Sequence, residues 1–162
     1  DYLKGLHFQT RADGVVIVID SDDSELHDDS HGEDLPRDQC RLCDLTRDAE
    51  NILNRLKPVD GRSRLKVATG LACPLIEAWW SWLDDKRITE AGLRVARQGG
   101  RQGEYNRIRL KTNFYGVARP DLAHETEAMV KAARRLCGQL DEFERFFPGG
   151  FAPLRRSLKA WK

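Results

Sequence analysis

Two aspartates, Asp20 and Asp22, come directly after a run of apolar, mostly β-branched residues at positions 14–19. Such a run predicts a fully buried strand. Side chains alternate along a strand, so residues 20 and 22 should face the same side while the chain remains extended. Two converging carboxylates suit Mg²⁺, which takes oxygen ligands and keeps several waters. The same residues also fit a polar turn after a strand, in which aspartate and serine form local hydrogen bonds.

A third carboxylate, Glu77, follows a second predicted strand at residues 64–71. It lies in the first turn of a helix that Pro74 opens, a position that proline favours. Open α/β sheets place ligands at the carboxyl ends of their strands, so Glu77 is expected near the two aspartates. The alternative is that Glu77 only complements the helix dipole.

A basic segment follows a glycine-rich loop at residues 98–103, and in it Arg107, Arg109 and Lys111 alternate with other residues. Basic side chains near aromatic ones suit a phosphate backbone with stacked bases. The alternative is an ordinary basic surface that the aromatic residues anchor. Those aromatic residues are Tyr105, Phe114 and Tyr115.

Four potential zinc ligands lie close together in sequence: His27, His31, Cys40 and Cys43. Cys-x-x-Cys is half of a common zinc site, and two histidines can complete a tetrahedron. The histidines come first here, which is not the order of a known zinc finger. Alternatively, the two cysteines lie one helical turn apart and point into the core.

The remaining pattern predicts the elements that must position these residues. A strand, a helix, a second strand and then several helices favour an α/β domain with a partly parallel sheet flanked by helices. Two strands are few for a sheet, and residues 1–10 are a candidate for another. The predicted helices span residues 38–56, 74–83, 89–97, 121–136, 139–147 and 153–161, and residues 21–39 form an acidic loop.

Composition adds a charge asymmetry. The formal net charge is +1, but residues 1–50 hold 14 acidic and 5 basic residues, whereas the rest hold 12 and 22. This split suits a protein that binds cations at one part and phosphates at another, and equally suits two solvated faces. No run approaches the ~20 apolar residues of a membrane helix, and no secretory signal is visible. The cysteines, including Cys73 and Cys137 as expected core thiols, are therefore interpreted as reduced thiols of a cytoplasmic protein.

The order of these motifs resembles TOPRIM-like proteins of bacteria. The resemblance rests on a strand that ends in Asp20-Ser21-Asp22, a strand that leads into Pro-Leu-Ile-Glu-Ala-Trp at 74–79, and a later Lys–aromatic segment around Lys111. The relatives include overcoming-lysogenisation-defect nucleases and defence-associated proteins. Spaced phenylalanines in a helical tail at residues 121–161 are similar too. The likeness covers roughly residues 13–160, and its individual motifs are short.

The resemblance implies a single TOPRIM-like domain over residues 1–162 that hydrolyses nucleic-acid phosphodiesters with Mg²⁺ or Mn²⁺. Carried over, Asp20 and Asp22 match the Asp-x-Asp metal ligands, Glu77 matches the glutamate of the helix motif, and Lys111 matches a lysine that stabilises phosphate charge. The resemblance also implies antiviral defence and a protein partner such as an ATPase.

One departure from the family pattern is that no glutamate precedes Asp20. The glutamate-bearing first strand of the family either precedes residue 1, comes from another chain, or has been lost. The alternatives to a nuclease are therefore a non-catalytic interaction subunit, which the tryptophan-rich helix also suggests, and a zinc-stabilised nucleic-acid-binding module.

Overall fold

Two parallel strands and a larger set of helices make up the chain in the computed structural model, which describes residues 2–28, 40–100 and 102–161. This confirms the α/β class. The strands are β1 (Gly14–Asp20) and β2 (Lys66–Ala72). The α-helices are α1 (Tyr2–Gln9), α2 (Arg41–Arg55), α3 (Ile76–Ser81), α4 (Glu90–Gln98), α5 (Arg107–Tyr115), α6 (Leu122–Leu136), α7 (Leu140–Phe146) and α8 (Phe151–Lys159), with 3₁₀ turns at Gln102–Tyr105 and Cys137–Gln139.

The sheet is parallel throughout, from the pair Gly14–Lys66 to the pair Asp20–Ala72. The carboxyl ends of both strands therefore lie at the same edge. The Ser21 N–H continues the ladder by donating to the Ala72 carbonyl at 2.8 Å. This register places the residues after β1 beside those that connect β2 to α3.

The prediction that the first strand is fully buried is wrong, because β2 occupies the centre instead. Leu71 and Ala72 in β2 have no exposed surface, whereas Val16 in β1 is 48% exposed. Within the described ranges β1 pairs with a strand on one edge only. Its β-branched run therefore builds an edge strand, while the alanine-rich β2 fits between two layers of side chains.

The far edge of β2 is covered by the segment that leads into α8. The Leu71 N–H donates to the Gly150 carbonyl at 3.3 Å, and the side chain of Leu154 lies against Gly70. Part of the hydrogen bonding that a third strand would provide to β2 therefore comes from the segment before α8. This arrangement explains how a sheet with two described strands is accommodated.

Two of the three tryptophans at helix α3 pack into the core. Trp79 is 3% exposed and Trp82 is fully buried, and both make edge-on contacts with Phe143 at centroid distances of 5.7 and 5.2 Å. Burial of such side chains stabilises the fold by roughly 1.5–3 kcal/mol each. These two tryptophans therefore give no support to an interaction surface. Phe143, Phe147 and Phe151 of the tail serve the same core, whereas Phe146 is 37% exposed.

Residues 2–9 form helix α1, so the expectation of a strand within residues 1–10 is wrong. Leu3 and His7 are four residues apart, which places them on one helical face, and both are buried. The His7 Nε2 atom lies 2.9 Å from the Lys57 carbonyl oxygen.

Several helix boundaries follow local capping chemistry. Asp121, the first residue of the helix predicted at 121–136, caps α6 by accepting the His124 N–H at 2.8 Å, and Thr89 caps α4 by accepting the Gly92 N–H. Helix α3 begins at Ile76, two residues after the expected Pro74. No helix in the described ranges combines the length and apolar character needed to cross a bilayer.

Candidate functional site

Asp20 ends β1 and points its carboxylate at the start of α3. Its Oδ1 accepts the Ile76 N–H at 2.9 Å. Burial raises the pKa of Asp20, the Ile76 N–H opposes that rise, and the negative charges of Glu77 and Asp22 add to it. Arg107 lowers it. Both other predicted carboxylates therefore act electrostatically on Asp20.

Asp22 reaches this edge by a turn and not by an extended strand, so the expected alternation ends at Asp20. Its φ is 48°, in the left-handed region that aspartate tolerates better than most residues. Its N–H donates to the Pro74 carbonyl at 3.0 Å, and the Ser24 N–H donates to the Ser21 carbonyl at 2.9 Å. Local turn chemistry, which the sequence left open as an alternative, therefore sets the direction of Asp22.

Three arginines surround Asp22, of which the sequence had indicated only Arg107. Arg41 pairs with Oδ2 at 2.7 Å, and Arg107 pairs with Oδ1 at 3.0 Å. Arg97 donates to the carbonyl oxygens of Asp22 and Ser24, both at 2.8 Å. Arg41 and Arg97 come from α2 and α4, far apart in sequence, and no motif marks them. The carboxyl edge therefore holds mixed charge.

Glu77 lies in the first turn of α3, as predicted, but it is buried with a counter-ion. Its side chain is 4% exposed, and its Oε1 lies 3.4 Å from the Lys111 Nζ, which also lies 3.6 Å from Glu125. Burial raises the pKa of Tyr115. The negative charges of Glu77 and Glu125 raise it further, as does the hydrogen bond between Tyr115 and Glu77. Lys111 therefore compensates two carboxylates, an arrangement that differs from the expected phosphate contact.

The basic segment forms helix α5, which separates the residues that the sequence grouped. Residues four apart share a helical face, so Arg107 and Lys111 face the acidic site, whereas Arg109 points elsewhere. Arg109 lines a different hollow together with Arg87 and Val95.

The aromatic residues of this segment belong mostly to the interior. Tyr105 and Tyr115 are 7% and 5% exposed, and Phe114 stacks on Trp80 with ring centroids 6.4 Å apart. The predicted platform for stacked bases is therefore not present at these residues. The aromatic side chains anchor α5, which was the alternative interpretation.

A groove of about 720 Å³ opens beside Asp22. It is lined by Asp22, Asp23, Pro74, Leu75, Leu93, Arg97, Gly100, Gly103, Tyr105, Asn106 and Arg107.

Comparison with protein-family models, curated proteins and solved structures gives no match for this chain. The function must therefore be inferred from the chemistry of the site.

A second group, formed by His27, Cys40 and Cys43, can hold a metal ion. The His27 Nδ1 lies 3.4 Å from the Cys40 Sγ and 3.5 Å from the Cys43 Sγ, and the three ligand atoms all lie within 4.8 Å of one another. Burial and the neighbouring Cys40 thiol raise the pKa of Cys43 to about 11. His31, the fourth predicted ligand, lies outside the described residues.

The other two cysteines differ in environment. Cys73 is buried, as expected, whereas Cys137 is exposed, so its interpretation as a core thiol is wrong. Cys137 begins the 3₁₀ turn that follows α6. It is not one of the residues, Ala132 and Leu136, that α6 buries against the core.

Glu90 is a buried acid that sequence reasoning missed. It is 5% exposed, and its two carboxylate oxygens accept the N–H groups of Gly149 and Gly150 at 2.7 and 2.8 Å. Burial raises the pKa of Glu90 to about 7, although these two N–H groups oppose the rise. Glu90 starts α4 directly after the Thr89 cap, where an acid is ordinary, so no sequence signal distinguished it.

This environment predicts a pH-dependent stability. The folded pKa of about 7 exceeds the ordinary value of 4.5, so the folded chain binds the extra proton between these two values. Stability should therefore fall as the pH rises through this window, by roughly 3 kcal/mol from this group. The measurement is urea unfolding with EDTA at pH 5, 6, 7 and 8, for wild type and Glu90→Gln. If the free energy of unfolding changes equally with pH in both proteins, then Glu90 is not the group that causes the change.

Proposed function

We propose that this chain is a Mg²⁺- or Mn²⁺-dependent nuclease domain that hydrolyses nucleic-acid phosphodiesters. The observation that carries the proposal is the placement of Asp20, Asp22 and Glu77 after the carboxyl ends of the two parallel strands, where the charges of Asp22 and Glu77 both act on Asp20 and two arginines pair with Asp22. The order of motifs that resembles TOPRIM-like proteins supports the same chemistry. A protein partner such as an ATPase, which that resemblance implies, is part of the proposal.

The three side chains offer the ligand type of a hard divalent cation, but their oxygens must move closer together to hold one, because the group of three ligand atoms within 4.8 Å among the described residues is His27, Cys40 and Cys43. All three side chains offer carboxylate oxygens, the ligand type that Mg²⁺ prefers. One oxygen of Asp20 is held by Ile76, which fixes the side chain and leaves the other oxygen for the ion. Asp22 supplies the more exposed oxygens, and Glu77 adds a third carboxylate beside Asp20. When bound, the cation activates a water molecule and neutralises charge on the leaving oxygen.

The ion pairs that Asp22 forms with Arg41 and Arg107 are weak enough for a cation to replace them. The side chains of Asp22, Arg41 and Arg107 are 47%, 44% and 61% exposed, and ion pairs at such positions contribute at most about 1 kcal/mol. A cation can therefore replace the arginines as the partner of Asp22 at low cost. Arg41 and Arg107 would then lie beside the bound cation, where each guanidinium could bind a phosphate through two hydrogen bonds.

Lys111 takes a positioning role in this proposal. It is 26% exposed and lies between Glu77 and Glu125, so it supplies the counter-charge of the buried Glu77 and holds that side chain in place. Arg97 holds the turn after β1 through two backbone carbonyls and forms one wall of the groove. The groove then receives the phosphate backbone, and the exposed arginines set its register.

Cleavage of plasmid DNA and of RNA by the purified chain tests the proposal, in parallel with Mg²⁺, Mn²⁺ and EDTA. We expect cleavage with either metal and none with EDTA. If the chain alone is inactive and addition of its natural partner does not change that, the nuclease assignment is wrong. A chain that then still binds its partner would be the non-catalytic interaction subunit.

A matched pair of arginine variants tests the nucleic-acid groove. Arg107 lies at the groove and Arg109 lies on another face of the same helix, so alanine at either position removes one charge from α5. We expect Arg107→Ala to weaken binding and to reduce the slope of log K against log salt by about 1, because one phosphate contact releases about one counterion. Arg109→Ala should leave the slope nearly unchanged.

The comparison uses a catalytically silent condition, with Ca²⁺ or EDTA, and a fluorescent oligonucleotide. Equal effects of both substitutions would indicate that the nucleic acid responds to total charge and not to this groove.

A further inference from the structure

We propose that His27, Cys40 and Cys43 form a zinc site that is separate from the carboxylate site. The described part of the chain supplies three ligand atoms, His27 Nδ1 and two sulfurs. The fourth tetrahedral position is then open to water or to another donor. This inference does not depend on the proposed nuclease activity.

The distances match those of a tetrahedral zinc centre. Zinc bonds of about 2.3 Å to sulfur and about 2.0 Å to nitrogen place a sulfur and a nitrogen about 3.5 Å apart. The two sulfur–nitrogen distances here are 3.4 and 3.5 Å, and all three atoms lie within 4.8 Å of one another. The ligand atoms therefore need little movement to accept an ion.

The chemistry of the group selects a borderline-soft ion and not Mg²⁺. Thiolate and imidazole ligands favour Zn²⁺, whereas Mg²⁺ takes oxygen ligands. Two thiolates neutralise one Zn²⁺, so the centre carries no net charge with a neutral imidazole. A neutral centre suits the surroundings, because Cys40 is 3% exposed and lies in a core cluster with Leu26 and Leu42.

The position of the group gives the metal a structural consequence. His27 belongs to the segment that follows β1, whereas Cys40 precedes α2 and Cys43 lies in its first turn. Zinc would thus tie the end of β1 to the start of α2. Arg41, which lies between the two cysteines in sequence, pairs with Asp22 at 2.7 Å. The zinc site would therefore position an arginine of the carboxylate site.

Cobalt titration of the EDTA-stripped chain tests this site, because tetrahedral Co²⁺–thiolate centres have a characteristic visible absorption. We expect one equivalent to bind and to be displaced by Zn²⁺. Cys43→Ser and His27→Ala should each weaken binding by more than about 100-fold, since even outer-shell substitutions cost about 10–100-fold. Cys137→Ser is the matched control, because Cys137 is an exposed cysteine outside the group, and it should bind like wild type.

Thiol alkylation followed by mass spectrometry provides a second measurement that does not depend on the absorption. Zinc should protect Cys43 and leave Cys137 reactive. Asp20→Asn should retain the cobalt spectrum, which separates this site from the carboxylate site. If Cys43→Ser binds Co²⁺ as tightly as Cys137→Ser does, or if zinc leaves Cys43 reactive, the three side chains form only a hydrogen-bonded cluster and the proposal fails.

Discussion

Replacement of Asp20 by asparagine is expected to reduce Mg²⁺- or Mn²⁺-dependent cleavage by more than about 100-fold while the fold stays intact. Asparagine retains an oxygen that can accept the Ile76 N–H, so the local cap on α3 survives. It removes the negative charge that the cation needs. The loss should therefore appear in metal binding and catalysis and not in secondary structure.

The same substitution should leave stability without metal unchanged or raised. The pKa of Asp20 is raised by burial and by the charges of Glu77 and Asp22, so its ionised form costs stability at neutral pH. That cost appears as the pH rises above the ordinary aspartate value and is complete above the raised pKa. A neutral amide avoids it, so thermal stability in EDTA should not fall, and stabilisation by added metal should shrink.

The measurement is a set of thermal melts with EDTA, Mg²⁺ and Mn²⁺, beside the cleavage assay. Asp13→Asn is the matched control, because it makes the same chemical change at the opposite end of β1, where Asp13 is exposed. If Asp20 serves only as a helix cap, then Asp20→Asn will behave like Asp13→Asn in every condition, and the metal site is refuted.

Gly150→Ala is expected to destabilise the chain strongly, with loss of the cooperative fold as the limiting case. An added Cβ would lie 1.8 Å from the carbonyl oxygen of Leu71 and 3.1 Å from the Glu90 Oε1. Leu71 is fully buried in β2 and donates its N–H to Gly150, so neither backbone can yield without breaking that contact. Overpacking costs about 1–3 kcal/mol and sometimes more, and a backbone clash belongs at the upper end.

Gly138→Ala is the control for this prediction, since a Cβ there meets no atom within 4 Å and the residue has no positive φ. It should be neutral or stabilising by up to about 1 kcal/mol, because alanine reduces the freedom of the unfolded chain. Urea unfolding at one pH measures both variants. Equal stability of the two would show that the α8 segment does not seat against β2 as described.

The local elements were largely predictable from the sequence. Apolar and β-branched runs indicated both strands, helical periodicity indicated α2 and α6, and Asp121 marked where α6 begins. These features depend on backbone preferences and on side chains a few residues apart. Helix α1 was missed because residues 2–9 contain too few buried positions for a clear period: Leu3 and His7 are buried, and Leu6 is only partly so.

The candidate site was predictable in its acids and not in its bases. Asp20, Asp22 and Glu77 follow strands, and parallel strands end at one edge, so their placement at that edge follows from the local pattern and the register. The guanidinium groups around Asp22 come from three helices, and Arg41 and Arg97 carry no local sign of that role. Only tertiary packing brings Arg41 and Arg107 to the Asp22 carboxylate and Arg97 to the backbone carbonyl of the same residue.

Tertiary structure also decided which residues are interior. Strand β2 is central because side chains cover both its faces and Gly150 covers its edge, a relation between residues about eighty positions apart. The same packing buried Trp79 and Trp82, placed Lys111 between Glu77 and Glu125, and enclosed Glu90 where two glycine N–H groups donate to it. Composition and periodicity specify which side chains prefer burial, but the partner that each one meets depends on contacts that form only when distant segments pack together.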